Sequence, residues 1–248
     1  MTRRRWIADE VTRNEAILTG RHAEHLSRVL RACIGQQFEI VTSDGVRMGE
    51  IVAIEPGRVV LSLANEPVSE TQTSTPRIHL YLAIFKFDRF EWATEKCTEL
   101  GMSALIPVIA ARTDPHLAAA ARKRVERWRR IAHEASQQSR RATVPEVADP
   151  ELLRNVITSA MGKRVVLSEV EREQSVLSAL KDSDEYSLAI GPEGGWTDSE
   201  LNEFKTAGWL SASLGPTILR AETAAIAVLA LAQAASCEQL GTSTGGPK

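Results

Sequence analysis

No stretch of this 248-residue chain is long and apolar enough to cross a bilayer: the longest candidate, near "AAIAVLALAQAA", falls well short of the roughly 20 residues a span needs. The opening "MTRRRWIADE" is basic but lacks the apolar run of a signal peptide, so a cytoplasmic protein is expected. Cysteine is scarce. Cys33, Cys97 and Cys237 are odd in number and far apart, which fits neither a disulfide framework nor a metal-ligand spacing. Reduced, mostly buried thiols and no metal are expected. Also missing are a G-x-x-x-x-G-K-[ST] phosphate loop and a G-x-G-x-x-G dinucleotide turn, which argues against a bound nucleotide polyphosphate. With 43% hydrophobic and 25% charged residues, neither disorder nor a fibrous repeat is indicated, and the length accommodates a small domain and a medium one.

Net charge is also small, but it is unevenly placed. The formal total is −2, yet residues 1–31 carry seven arginines against four acids, and residues 112–141 carry nine Lys/Arg against three. Residues 142–248 hold eight Lys/Arg against fifteen acids. Two basic zones on a mildly acidic body suit a protein with one face toward a polyanion, although solvated helix faces produce the same counts.

What is present begins with short β-like runs from residue 36: "QQFEIVT", a turn at Ser43-Asp44-Gly45, "VRMGEIVAIE", a turn at Pro56-Gly57, then "RVVLSLA". Asp-Gly between alternating runs marks a hairpin. Ahead of them, "HAEHLSRVLR" places Leu26, Val29 and Leu30 on one helical face with Arg28 and Arg31 beside it, predicting a small barrel that carries one basic helix. The polar "NEPVSETQTSTPR" reads as a linker, with a domain boundary near residues 66–76. Beyond it, strand-length apolar runs alternate with helical patterns, from "IHLYLAIF" and "FEWATEKCTEL" to "YSLAIG", "DSELNEFKTA" and "AAIAVLALAQAA". That alternation predicts a mostly parallel α/β sheet covered by helices. Phe90, Ala93, Cys97 and Leu100 form one stripe, with Gly101 as a helix stop. The last helix is apolar nearly all round, as if buried on every side by its own domain or by a second subunit.

The richest segment is "AIGPEGGWTDSE", residues 189–200. It leaves a predicted strand, where ligands of open α/β sheets bind, and Thr197 with Glu200 forms a capping box that starts the next helix. A similar strand, Gly-Pro and helix follows in "SLGPTILRAETA". Two such loops would make a pocket of backbone N–H and C=O groups suited to the edge of an adenine, and Glu193 and Glu222 nearby favour a cation. S-adenosylmethionine joins an adenine to a sulfonium. Tight turns needing one or two glycines at positive φ would leave the same pattern.

Together, "LAIGPEGGWTDSE", "LGPTILRAETAAIAVLALAQ", "ATEKCTELGMSALIPV" and "HLSRVLR" resemble the RsmE-type 16S ribosomal RNA uridine N3-methyltransferases of the SPOUT class, in order over nearly the whole chain. The resemblance implies a PUA-like β-barrel RNA-binding domain over residues 1–68. It implies an α/β methyltransferase domain over 76–240, with helices on both faces of a mostly parallel sheet whose chain threads a trefoil knot, and a homodimer acting on 16S ribosomal RNA or the small ribosomal subunit. It also implies that Leu167, Ile190, Gly191, Pro192, Glu193, Gly194, Gly195, Leu214, Gly215, Ile218, Leu219 and Arg220 contact S-adenosylmethionine. Thr217 stands where the family often has arginine, which removes one candidate phosphate or substrate contact.

Uridine N3 carries a proton in the neutral base, so transfer to it needs a base or an anion-stabilising donor. Arg220 is the expected stabiliser, and Glu222 is expected to take the proton or hold Arg220; a salt-bridged helix start gives the same "RAET". Arg3, Arg4, Arg5, Arg28, Arg31, Arg140 and Arg141 are the expected phosphate contacts, since arginine pairs with phosphate in a fork. Trp6 reads as core more than as a stacking platform. Methylation of another RNA atom such as a ribose 2′-hydroxyl, or a non-catalytic assembly factor, are the alternative readings.

Overall fold

A computed structural model describes residues 5–42, 45–67, 75–181 and 183–242, with the backbone alone for Pro67 and residues 237–242. Arg3, Arg4, Ser43, Asp44, the Cys237 side chain and the centre of the expected linker, residues 68–74, lie outside that description. The chain divides into two compact units, residues 1–72 with 136–144 and residues 73–135 with 145–248.

The first unit contains β1 (Arg5–Ile7), β2 (Glu10–Val11), β3 (Glu15–Thr19), α1 (Gly20–Glu24), β4 (Gln37–Thr42), β5 (Gly45–Glu55) and β6 (Arg58–Pro67). Its six strands run in the order β1-β4-β5-β6-β3-β2, antiparallel except where β1 lies beside β4. Thr42 faces Gly45 and Glu55 faces Arg58 across the two expected hairpins, the second turning through Gly57 at φ +73°. Ile40, Ile51, Val59 and Leu61 alternate into one core with Leu18, Leu26 and Trp6, so Trp6 is packing.

The basic helix departs from expectation. After α1 the chain forms a π-helical turn over His25–Val29, with Leu30 N–H donating to His25 O at 3.0 Å. An i→i+5 turn holds one residue more than an α-turn, so side chains three and four positions on lose their common face. Leu26 stays buried, but Val29 is 65% and Leu30 48% exposed. Cys33, in the loop that follows, is exposed rather than buried, while Cys97 is in the core.

The second unit contains β7 (Arg77–Ala83), α2 (Phe87–Glu99), β8 (Ala104–Ile109), α3 (Pro115–Ala121) and the beginning of α4 (Val125–Gln138). It continues with β9 (Glu146–Val147), β10 (Glu151–Leu152), α5 (Leu153–Val156), β11 (Lys163–Leu167), α6 (Val176–Ala179), β12 (Glu185–Ile190), α7 (Asp198–Thr206), β13 (Leu210–Ala212) and α8 (Ala221–Thr242). The sheet order is β10-β8-β7-β12-β11-β13, with β9 also on β8, and every pairing is parallel. Parallel sheets need cover on both faces. Leu80, Leu82, Val165 and Leu188 pack with α2, α4, α6 and α8, while Tyr81, Ala83, Val166 and Ala189 pack with α5 and α7. Gly101 ends α2 at φ +94°, as its sequence signals. The chain buries one side of α8 through Ala225, Val228, Leu229 and Ala232, but Ala230 and Ala234 are exposed.

Trp128 is fully buried, with its ring 4.5 Å from that of Phe90, and its indole N–H has no hydrogen-bond partner among the described residues. Trp128→Ala is expected to destabilise the protein by about 3–5 kcal/mol through the cavity it leaves. Urea unfolding of the full chain measures this.

Candidate functional site

A cleft of about 470 Å³ opens where β11, β12 and β13 end, and its walls are the segments that leave those strands. This is the position at which open α/β sheets bind ligands. The first wall is the glycine loop after β12. Gly195 N–H donates to Pro192 O at 2.8 Å, and Gly195 sits at φ +69°, a conformation that favours glycine. A Cβ there would approach Glu169 Oε1 at 3.2 Å. At Gly191 a Cβ would stand 3.3 Å from Gly195 C and from Trp196. Gly191 therefore serves a close backbone approach, and Gly195 the positive-φ turn.

The far end of the loop is pinned by α7. Thr197 Oγ1 accepts from Glu200 N–H and Glu200 Oε2 accepts from Thr197 N–H, completing the expected capping box. Glu200 does more. It is buried, and its Oε1 accepts from Ala111 N–H at 2.7 Å, tying the β12 loop to the segment after β8. Arg112 adds a second tie by donating from Nη1 to Gly194 O at 2.6 Å and Trp196 O at 3.2 Å.

The second wall turns at Gly215, φ +126°, whose N–H donates to Ser213 Oγ at 3.1 Å. The third follows β11, where Ser168 N–H donates to Ala212 O at 3.0 Å and so joins it to β13. Just beyond, Glu171 accepts from the backbone N–H groups of Glu173 and Gln174, which hold its carboxyl below the usual carboxylate range.

Of the residues expected to touch a donor, Leu167, Ile190, Gly191, Pro192, Glu193, Gly195, Leu214, Gly215, Ile218, Leu219 and Arg220 all line this cleft. Gly194 does not, its carbonyl being taken by Arg112. Thr217 lines it too. Arg220 is exposed and has no ion-pair partner among the described residues. Glu222 is placed differently. It is 5% exposed and outside the lining, and its ion-pair partner is Arg89, with Arg89 Nε 3.8 Å from Glu222 Oε1.

The arginines chosen for RNA contact fall into two groups. Arg28, with a side chain 78% exposed and a distant partner in Glu24 at 3.7 Å, and Arg31, at φ +49°, are open to solvent. Arg5 instead pairs with Glu39 at 2.9 Å and donates to Arg140 O at 2.6 Å. Arg140 adopts φ +58° with a buried Nε, and burial pushes the Arg141 guanidinium down to about 10.

Sequence reasoning missed Arg89, Arg112, Ser168, Glu169 and Asp198, all of which line the cleft. The available signal was positional, since Arg89 and Arg112 follow the parallel strands β7 and β8 at their carboxyl ends. Among the described residues no group of three or more His, Cys, Asp or Glu side chains could hold a metal, and no helix is long and apolar enough to cross a membrane.

Removing Glu200 leaves the N–H groups of Ala111 and Thr197 without their acceptor, whereas Thr197→Ala removes only a cap. Thr197→Ala is expected to cost about 1 kcal/mol and Glu200→Ala about 2–3 kcal/mol, compared by urea midpoints.

A family model for an RNA methyltransferase domain matches residues 72–233, which include every residue of the cleft. Ribosomal RNA small subunit methyltransferase E of Bacillus subtilis (strain 168) is 31% identical over 223 residues, covering 86% of this chain and 87% of that one. The protein of the same name from Synechocystis is 33% identical over 229 residues, covering 90% and 74%. Among solved structures, ribosomal RNA small subunit methyltransferase E from Neisseria gonorrhoeae bound to S-adenosyl methionine is similar at a TM-score of 0.81 and 27% identity, over 94% of this chain and 97% of that chain. With its cleft inside the matched region and relatives of one name along most of its length, the chain belongs to the RNA methyltransferase domain family, alongside the ribosomal RNA small subunit methyltransferases E.

Proposed function

We propose that this protein methylates N3 of a uridine in 16S ribosomal RNA, using S-adenosylmethionine as donor. The observation that carries the reading is a single cleft in which backbone-rich glycine loops, three carboxylates and an exposed arginine meet, in a chain of this family. The residues present fit the donor. Gly191 and Gly195 leave backbone where a Cβ would intrude, and Glu169, Glu193 and Asp198 give the wall the negative character that a cation needs. The volume lies in the ordinary range for small-ligand sites.

When bound, the donor supplies a methyl group on a cationic sulfur. Leu167, Ile190, Leu214 and Leu219 would pack its apolar parts, and the loop from Gly191 to Gly195 would meet it through backbone. Transfer is an in-line displacement, so holding the acceptor nitrogen on axis supplies much of the rate. Arg220 is free to stabilise the negative charge spread over O2 and O4 of the deprotonated uracil. Arg28 and Arg31 grip phosphates, and turning the base out of its stack requires such a hold on its flanks.

The same reading includes a PUA-like barrel for the first unit, a trefoil knot in the second, a cytoplasmic setting and a homodimer. The exposed Ala230 and Ala234 on an apolar helix support the pairing of two copies. A monomer in sedimentation at micromolar concentration would count against it.

Mass mapping of modified uridines in small-subunit RNA, with and without the protein, tests the function; methyl groups absent or on another atom overturn it. Two variants separate donor from catalysis. Gly195→Val is expected to abolish donor binding in calorimetry while leaving the protein folded. Arg220→Ala is expected to leave RNA binding little changed and to lower the single-turnover rate at saturating RNA and donor by about 100-fold, roughly 3 kcal/mol. Replacing Arg28 and Arg31 together should reduce the salt dependence of RNA binding by roughly one counterion per lost contact.

A further inference from the structure

Glu222 is a carboxylate in an awkward place. It lies in the first turn of α8 with 5% exposure, its Oε1 is 3.8 Å from Arg89 Nε, and its Oε2 has no hydrogen-bond partner among the described residues. Taking an ionised carboxylate out of water is costly unless a cation compensates. The acid also stands outside the lining of the cleft. Its partner, by contrast, lines the cleft. The geometry is therefore that of a carboxylate serving a guanidinium.

Arg89 comes from the first turn of α2 and is held on a second side by Glu193, its Nη1 donating to Glu193 Oε1 at 3.3 Å. Two acids from two segments, one buried and one on the glycine loop, thus flank the planar fork, and Arg89 Nη2 makes no hydrogen bond among the described residues. A rigid, always-charged fork with donors to spare is suited to a planar anion. One guanidinium with two carboxylates leaves a local charge of −1, which a cationic donor offsets.

We propose that Arg89 is a second catalytic guanidinium, positioned by Glu222 and Glu193 to stabilise the uracil anion that forms at N3, and that Glu222 is a positioning residue rather than the base. This rests on the uridine N3 reading above. The step balances simply: the N3 proton passes to water, the N3–C bond forms, and the C–S bond breaks with its electron pair left on sulfur. Arg89 and Arg220 then approach from different walls, one held by carboxylates and one unpaired.

The test is single-turnover methylation at saturating donor and RNA for the wild type, Arg89→Ala, Arg89→Lys and Glu222→Gln. Each is measured with uridine and with 5-fluorouridine at the target position. Fluorine makes N3–H more acidic, so it lessens the need for anion stabilisation. Arg89→Ala is expected to lose about 100-fold in saturated rate, with donor affinity by calorimetry within about threefold of wild type, and Arg89→Lys to recover part of the loss. Glu222→Gln should lose less than Arg89→Ala. 5-Fluorouridine should speed Arg89→Ala more than it speeds the wild type, a rescue that a merely structural role would not produce. An Arg89→Ala protein that keeps its saturated rate overturns the inference, as does an equal fluorine effect in both proteins. A Glu222→Gln loss exceeding that of Arg89→Ala also overturns it and restores Glu222 as the base. Should Arg89→Ala not fold, Arg89→Lys decides: the wild-type rate and fluorine response overturn the inference, while a lowered rate with fluorine rescue supports it. Methyl found on an atom other than N3 in the wild type overturns the underlying reading instead, whatever the Arg89 variants do.

Discussion

The cleft depends on the buried carboxylate of Glu200. One of its oxygens closes the cap of α7 and the other takes Ala111 N–H, so a single charged group fixes both the glycine loop and the segment after β8. Charge-assisted hydrogen bonds to backbone N–H groups are among the stronger ones available, and burial raises the cost of breaking them. The negative charge also lies at the N-terminus of α7, where the helix dipole favours it. A loop with glycines at positions 191, 194 and 195 would otherwise be the most mobile part of the site. Held at this end, it presents backbone in a fixed shape, which is what recognition without side chains requires.

From that constraint the charge pattern follows. Arg112 is occupied by the carbonyls of Gly194 and Trp196, so it acts on the loop and is not available for an anion. Arg89 is occupied on two sides by Glu193 and Glu222. Arg220 alone of the three is unpaired among the described residues. Three arginines lining one cleft are therefore held in three different ways. Counting cations in the sequence could not have distinguished them.

What the sequence showed well was local. The capping box at Thr197 and Glu200, the turn at Gly57, the stop at Gly101 and the stripe of α2 depend on residues within a few positions of one another, and each is present. The cleft lining was legible for a related reason, since strand-then-glycine marks the carboxyl edge of a parallel sheet. What failed depended on distant partners or on one extra residue. Arg89 and Glu193 are 104 positions apart, and Arg112 and Gly194 are 82. The π-turn at His25–Val29 moved Val29 and Leu30 into solvent although their spacing looked helical. Arg5, read as a phosphate contact, donates to the backbone carbonyl of Arg140, 135 positions away.

The division between backbone and guanidinium in the cleft has a physical reason. On the proposed reading, fixed backbone groups meet the uncharged parts of the donor, and such groups need little reorganisation and keep their geometry as salt varies. On the same reading, the charge on the acceptor base exists only during transfer. A guanidinium already held by carboxylates loses little side-chain freedom when that charge forms, so more of its attraction is expressed in the transition state than in the ground state. A free arginine such as Arg220 gives up more rotamer entropy to reach the same point, but it also gives up no existing ion pair. One preorganised and one unpaired guanidinium can therefore act on the same anion at different costs, the first in carboxylate desolvation at Glu222 and the second in side-chain order.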